Sequence, residues 1–257
     1  MDLHVPTLEL ETFLLVLVRI AGFVAVAPLF AHKSVNARLR VLIAACISLT
    51  VYSAMDIKII EYDTVLGYSM LIIKELVVGL SIGFVANLVM AVINLAGEFI
   101  DREIGFSMVT NFDASSGTNI TITAQLYDSM VYVIILVNNL HYYIIKAIVQ
   151  SFELVPLGSA DINYAGMYNS VIDFMLQYFS IGFRISMPIF LSATILNVIL
   201  GVLAKSSPQM NMFSVGMQLK VLSGLVVLSM AIIFIPNIGN FLIEKMQSMI
   251  GALMGGL

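Results

Sequence analysis

The sequence predicts an all-α, polytopic integral membrane protein with about six long apolar helices arranged as hairpins, some of them bent or broken. Three observations carry this expectation. Hydrophobic residues make up 60% of the chain and charged ones only 11%, and the mean hydropathy is +1.01, far from the balance of a soluble domain. The apolar residues fall into runs near or above the ~20 residues that cross a bilayer. A single long polar stretch, Gly97 to Ile120 (GEFIDREIGFSMVTNFDASSGTNI), interrupts them. The whole chain, 1–257, reads as one membrane domain.

The apolar runs are Glu11 to Phe30, Leu39 to Met55, Thr64 to Ala96, Gln125 to Val149, Val171 to Leu203 and Met212 to Ile235. The second is a marginal crossing, whereas the third and fifth exceed what a simple crossing needs. They can tilt, protrude or break, and Pro188 removes a backbone donor inside the fifth and invites a kink. The N-terminal arm, MDLHVPTLELET, is acidic, whereas a secretory signal starts with positive charge. The first run is therefore read as retained.

Connections alternate in charge. The first holds Lys33, Arg38 and Arg40 and the fifth Lys205 and Lys220, with no acid in either. The N-terminal arm, the second connection (Asp56, Glu61, Asp63 against Lys58) and the fourth (Glu153, Asp161) are acidic. Basic loops stay in the cytoplasm, so the first and fifth connections are assigned there and both termini outside. The central polar stretch then falls on the cytoplasmic side.

Arg19, Lys74, Glu75 and Arg184 lie within apolar runs. A charge at bilayer depth costs roughly 2.5–3.5 kcal/mol on insertion scales, so these side chains are expected to face partners or water. Lys74 and Glu75 point about 100° apart on a helix and so reach different neighbours. For Arg184 a structural ion pair and a transport site both stay open. Gly79 and Gly83 give a small-xxx-small spacing that allows close helix approach. Asn87 and Asn94 lie two turns apart and read as interhelical hydrogen-bond partners.

The net charge of −4 offers no basic face for nucleic acid. With Cys46 the sole cysteine, an internal disulfide is excluded, and no Cys or His cluster has metal-ligand spacing. His141 has no triad partner or second ligand beside it in sequence. No nucleotide-binding loop and no HExxH or GxSxG pattern occurs, so neither a catalytic residue nor a metal or cofactor site is assigned. Met210, Met212 and Met217 serve either as core filler or as a compliant surface.

Within the polar stretch, Glu98 and Arg102 lie one turn apart, and Asp101 is expected to share their face as a polar cluster at the helix end. Beyond Gly105 the residues become small, polar and turn-forming, with Phe106, Met108 and Phe112 among them, and Asp113 and Gly117 suited to turns. Irregular backbone among membrane helices survives only under a cover of protein or beside a water-filled cavity. This loop is therefore a candidate for lining or closing a passage, an ordinary solvated connection being the alternative.

Gly97, Glu98, Ile100, Asp101 and Gly105, then Phe112-Asp113 and Ser116-Gly117, then Asn139, His141, Ser151, Pro156 and Gly158, and finally Ser207-Pro208-Gln209-Met210-Asn211 with Phe213 and Gly216, resemble the flagellar biosynthesis FliR family. Arg19, Pro28, Phe30, Val35 and Arg38 fit its first hairpin. That family is similar to the T component of injectisome export gates. The resemblance covers nearly the whole chain.

It implies a structural subunit of the flagellar type III protein export gate, assembled with P and Q components, touched by the B component, and conveying unfolded flagellar proteins. It implies a multi-pass protein of the bacterial inner membrane in the flagellar basal body, in contact with lipid. It further implies a plug at about 104–120, with Gly105, Phe106, Met108, Phe112, Asp113 and Gly117 as gate residues. Pro208, Gln209, Met210, Asn211, Phe213 and Gly216 would pack against sister subunits. The alternative reading is a small-solute secondary transporter using Arg19, Lys74, Glu75 and Arg184.

Overall fold

The computed structural model describes residues 4–32, 35–55, 57, 59, 60, 62, 64–106, 111–113, 118–159, 164–207, 209 and 212–255. The elements are α1 (His4–Val26), α2 (Ala37–Ala54), α3 (Val65–Ile104), β1 (Asn111–Asp113), β2 (Thr118–Ile120), α4 (Ile122–Val137), α5 (His141–Leu154), α6 (Tyr164–Ser206), α7 (Met212–Ala231) and α8 (Ile235–Met254). A short 3₁₀ turn, Ile232–Phe234, joins α7 to α8.

The protein is thus an all-α membrane protein, and the apolar runs reappear as helices with informative differences. The fourth run is two helices, because Asn139 takes a left-handed conformation (φ +57°), one of the few non-glycine types that tolerates it. The sixth run continues past Ile235 into α8, which the hydrophobic runs did not include. Pro236 is the second residue of α8, where its missing N–H has no helical partner to lose. Pro188 lies inside α6 without ending it, and there the Arg184 carbonyl loses its usual donor.

Among the described residues, helices long and apolar enough to cross a membrane number four, covering Ala37–Ala54, Val65–Ile104, Ile172–Ser206 and Ser214–Met254, or five if the broken pair α4 and α5 forms one span. Glu9, Glu11 and Arg19 keep α1 out of that set.

The chain forms two compact units, one from residues 1–89, 141–174 and 243–257 and the other from 90–140 and 175–242, with the boundaries inside α3, α6 and α8. In the first unit, Leu15, Ile20 and Phe23 of α1, Val78 and Ile82 of α3, and Ile144 and Ile148 of α5 are fully buried. The spacing of Gly79 and Gly83 serves α1. A Cβ on Gly79 would lie 2.9 Å from the Arg19 carbonyl carbon, and one on Gly83 2.8 Å from the Phe23 carbonyl oxygen. Backbone meets backbone there, which only glycine permits. Arg40 Nη2 donates to the Ala31 and His32 carbonyls at 3.1 and 2.9 Å and fixes the return from α1 to α2.

In the second unit, Ile93, Ala96, Ile100 and Ile104 of α3 form the buried stripe expected of a 3.6-residue period, together with Ala124, Val131 and Ile135 of α4 and Ile189 and Ala193 of α6. Tyr178 of α6 adds a hydrogen bond from its hydroxyl to the Ala91 carbonyl at 3.3 Å.

Candidate functional site: a clasped hairpin and a buried arginine

The polar stretch divides into a helix end and a hairpin. α3 continues to Ile104, and Gly105 closes it with φ +97° while its N–H donates to the Asp101 carbonyl at 3.0 Å. Nothing lies within 4 Å of where its Cβ would stand, so conformation rather than space selects glycine at this left-handed cap. Phe106 follows, half-buried. The expected irregular loop contains a short antiparallel ladder, with Asn111 opposite Ile120, Phe112 opposite Asn119 and Asp113 opposite Thr118. Ser115, Ser116 and Gly117 between two short runs are the sequence signal of such a turn. Met108 and Gly117 lie outside the described residues, as do the side chains of Phe112 and Asp113.

The expected cluster of Glu98, Asp101 and Arg102 separates. Arg102 and Glu98 stand 4.0 Å apart with side chains 69% and 49% exposed, an i,i+4 contact worth about 0.3–0.5 kcal/mol. Asp101 is buried and turned away from them. At 3.6 residues per turn, steps of three and four from Glu98 land on opposite flanks, about 100° apart. Only the flank carrying Asp101 faces protein.

Asp101 Oδ2 accepts the Thr123 backbone N–H at 2.9 Å, and Oδ1 accepts the Thr123 hydroxyl. Thr121, the residue preceding α4, makes no side-chain cap, so the carboxylate of α3 caps α4 from outside. It satisfies an N–H that has no intrahelical partner and places negative charge at the positive end of the helix dipole. Beside it, a Cβ on Gly97 would lie 2.5 Å from the Ala124 backbone nitrogen. Gly97 and Asp101, one turn apart on α3, therefore hold the first turn of α4 at backbone contact. Both ends of the hairpin are thereby anchored within the same unit.

Removing the Asp101 carboxylate is expected to loosen this base. Asp101→Ala leaves two donors without acceptors, costing about 1.5–3 kcal/mol for each charge-assisted bond. Asp101→Asn keeps one acceptor and should lose less. Thermal unfolding in detergent orders the two variants, and faster amide exchange at residues 118–124 locates the loss.

The first unit holds a second buried polar knot. Arg19, fully buried, pairs through Nε with Glu75 Oε2 at 2.5 Å. Its Nη1 donates to the Ser151 and Val155 carbonyls at 3.1 and 2.8 Å, and the guanidinium lies 4.5 Å over the Phe152 ring. Glu75 Oε1 accepts the Gly158 N–H at 2.9 Å. Gly158, with φ +77°, turns the chain so that its N–H faces the carboxylate. One ion pair thus ties α1, α3, the end of α5 and the connection after it.

Elsewhere the sequence expectations fare unevenly. Lys74 does not share the partner of Glu75, as their angular separation requires. Asn87 and Asn94 form no side-chain hydrogen bond among the described residues, and Asn94 Oδ1 is buried without one, so neither makes, among those residues, the interhelical bond expected of it. The His141 Nδ1 is likewise buried without a partner among the described residues. Gly216 is buried, with Leu200 Cδ1 3.2 Å from where its Cβ would be, and Gln209 is exposed in the turn before α7. Pro208, Met210, Asn211 and the Phe213 side chain fall outside the described residues. Thr123 was not foreseen, because a threonine before an apolar run carries no sign of an acceptor on a distant helix.

Residues 10–246 match the family described as bacterial export proteins, family 1. The chain is 31% identical over 255 residues to the flagellar biosynthetic protein FliR of Bacillus subtilis (strain 168), covering 95% of each chain. It is 29% identical over 223 residues to that of Aquifex aeolicus (strain VF5), covering 87% of this chain and 86% of the other. With the protein of the same name from Escherichia coli (strain K12) the identity is 24% over 212 residues, covering 81% and 79%.

Proposed function

The chain belongs to the bacterial export proteins, family 1, as a membrane component of the flagellar export apparatus, and from that premise we propose that it is a structural subunit that helps to form and close the export channel. In this reading the whole chain acts as one export-gate domain of the inner membrane at the flagellar basal body. It assembles with the P and Q components, meets the B component, and lets unfolded flagellar proteins pass without chemistry of its own. Segment 104–120 is the plug, and Gly105, Phe106, Met108, Phe112, Asp113 and Gly117 are its gate residues. Pro208, Gln209, Met210, Asn211, Phe213 and Gly216 pack against sister subunits.

The observation that carries the plug is the clasp beneath it. A hairpin whose two ends are fixed by Asp101–Thr123 and by the Gly97–Ala124 contact is presented on a firm base, as a plug that must return to one position requires. A solvated connection would gain little from a buried carboxylate spent on holding its ends. The secondary-transporter reading loses support because Arg19 and Glu75 are fully buried in a structural pair.

Deleting residues 106–119 and bridging with a short glycine linker is expected to make the reconstituted gate leak ions. Planar-bilayer conductance of the assembled complex measures it, and conductance equal to that of the intact gate overturns the plug.

A further inference from the structure

In the second unit a cavity of about 280 Å³ opens between α4, α6 and α8, with walls that include Tyr127, Ile181, Arg184, Pro188, Phe234 and Asn237, and no acid lines it. Tyr127 is 3% exposed, and its hydroxyl has no partner among the described residues. Arg184 and Asn237 are exposed, and neither side chain makes a hydrogen bond or ion pair among those residues. A guanidinium is a permanent cation with five donors and no acceptor. It stands here beside two neutral donors in an oily wall, without a counter-charge from its own chain.

The surface around Arg184 indicates what meets it. Exposed apolar side chains continue on both sides, from Met175 and Phe179 before it to Leu191, Ile195 and Leu203 after it. From Met175 to Leu203 the helix rises about 42 Å at 1.5 Å per residue, against a hydrocarbon core of about 30 Å. Only an average tilt above about 40°, beyond the range of membrane helices, places all of that length in lipid. Part of the exposed apolar surface is therefore covered by protein. If the lipid begins at Arg184 and runs toward Leu203, the covered part is the one that ends at Arg184. If the lipid begins nearer Met175, it takes in Arg184, and a charge in hydrocarbon needs a partner that this chain does not supply. Both placements bring another chain to the mouth of the cavity.

We propose that this cavity is the docking point of another membrane chain, which inserts a carboxylate among Arg184, Tyr127 and Asn237. The guanidinium fork takes the carboxylate through two parallel bonds, and the Tyr127 hydroxyl and the Asn237 amide donate to the remaining lone pairs. Ile181, Pro188 and Phe234 keep water from the pair, which strengthens it. The space far exceeds the roughly 30 Å³ of one water molecule and admits a side chain. A second copy of this chain cannot supply Glu75 or Asp101, because both are buried and engaged within their own units. The docking deepens the role of gate subunit and rests on it.

The test uses the gate assembled from this chain and its co-expressed P and Q components, with native mass spectrometry reading how much of this chain the complex retains. Arg184→Glu is expected to weaken retention about thirtyfold or more. Arg184→Lys, which keeps the charge and loses the fork, is expected to weaken it less. When the acids in the apolar helices of the P and Q components are changed to lysine one at a time, a single position is expected to restore assembly with Arg184→Glu and to weaken it with Arg184.

Full assembly of the Arg184→Glu gate overturns the proposal and leaves the role of gate subunit standing. Failure of the unaltered chain to assemble with the P and Q components removes that role, and the docking with it. If no acid of the P and Q components rescues Arg184→Glu, the occupant is lipid, backbone or a second copy, and the proposal falls. It falls too if the isolated Arg184→Glu chain unfolds at a lower temperature than the unaltered one, because Arg184 then serves the fold rather than an interface.

Discussion

Replacing Arg19 by alanine is expected to destabilise the chain by about 3–5 kcal/mol, because it leaves the Glu75 carboxylate buried without its counter-charge. The side chain also donates to the Ser151 and Val155 carbonyls; the first keeps the Val155 N–H at 2.9 Å, whereas the second loses its donor in a region closed to water. Loss of the cation over Phe152 adds to this. Glu75→Ala should be comparably damaging, since it strands the guanidinium and the Gly158 N–H together.

The pair as a whole is a different matter. Desolvating two ions offsets most of their attraction, so the double variant Arg19→Met, Glu75→Gln is expected to recover most of the loss. Unfolding temperature in detergent, read as a double-mutant cycle, checks this. Additive losses would mean that Arg19 and Glu75 act independently and that the knot is not an energetic unit.

Gly97→Ala is the second large effect expected. A Cβ placed 2.5 Å from the Ala124 nitrogen must drive α4 away from α3, because the obstacle is backbone and no rotamer can move aside. Overpacking of this kind costs about 1–3 kcal/mol and sometimes more, and the displacement also stretches the Asp101–Thr123 bonds one turn further along. Cooperative loss of both contacts should lower the unfolding temperature more than Asp101→Asn does and accelerate amide exchange through residues 118–124.

Gly201→Ala is the control, since nothing lies within 4 Å of its Cβ position, and helix propensity alone favours alanine there by up to about 1 kcal/mol. If Gly97→Ala behaved like Gly201→Ala, the close approach of α3 and α4 would not exist in the molecule.

These two sites show how unevenly the sequence discloses itself. Arg19 and Glu75 were legible as charges out of place in apolar runs, which predicts that each is paired but not that they pair with each other across 56 positions. Gly79 and Gly83 were legible as a spacing, and only coordinates show that α1 fills it. Asp101 was placed on the face of Glu98 and Arg102 because helical neighbours three and four apart share a side. Which flank of that side is buried depends on where α4 lies. Asn87 and Asn94 mark the limit of spacing as a guide, for an identical interval serves a bond or none according to what stands opposite.

Composition and hydrophobic period are enough to establish a helical membrane protein with one polar interruption, and the residue pattern is enough to show which family it resembles. Burial in lipid or protein leaves hydrophobicity as the dominant local signal, and that signal is written in composition and period. Coordinates were needed to show that α4 and α5 break at Asn139, that α8 starts at Ile235 with Pro236 in its first turn, that Asp101 caps a helix other than its own, and that Arg19 meets Glu75. Each of those outcomes is a contact between positions far apart in the chain, and the energy of such a contact depends on geometry that no local run of residues contains.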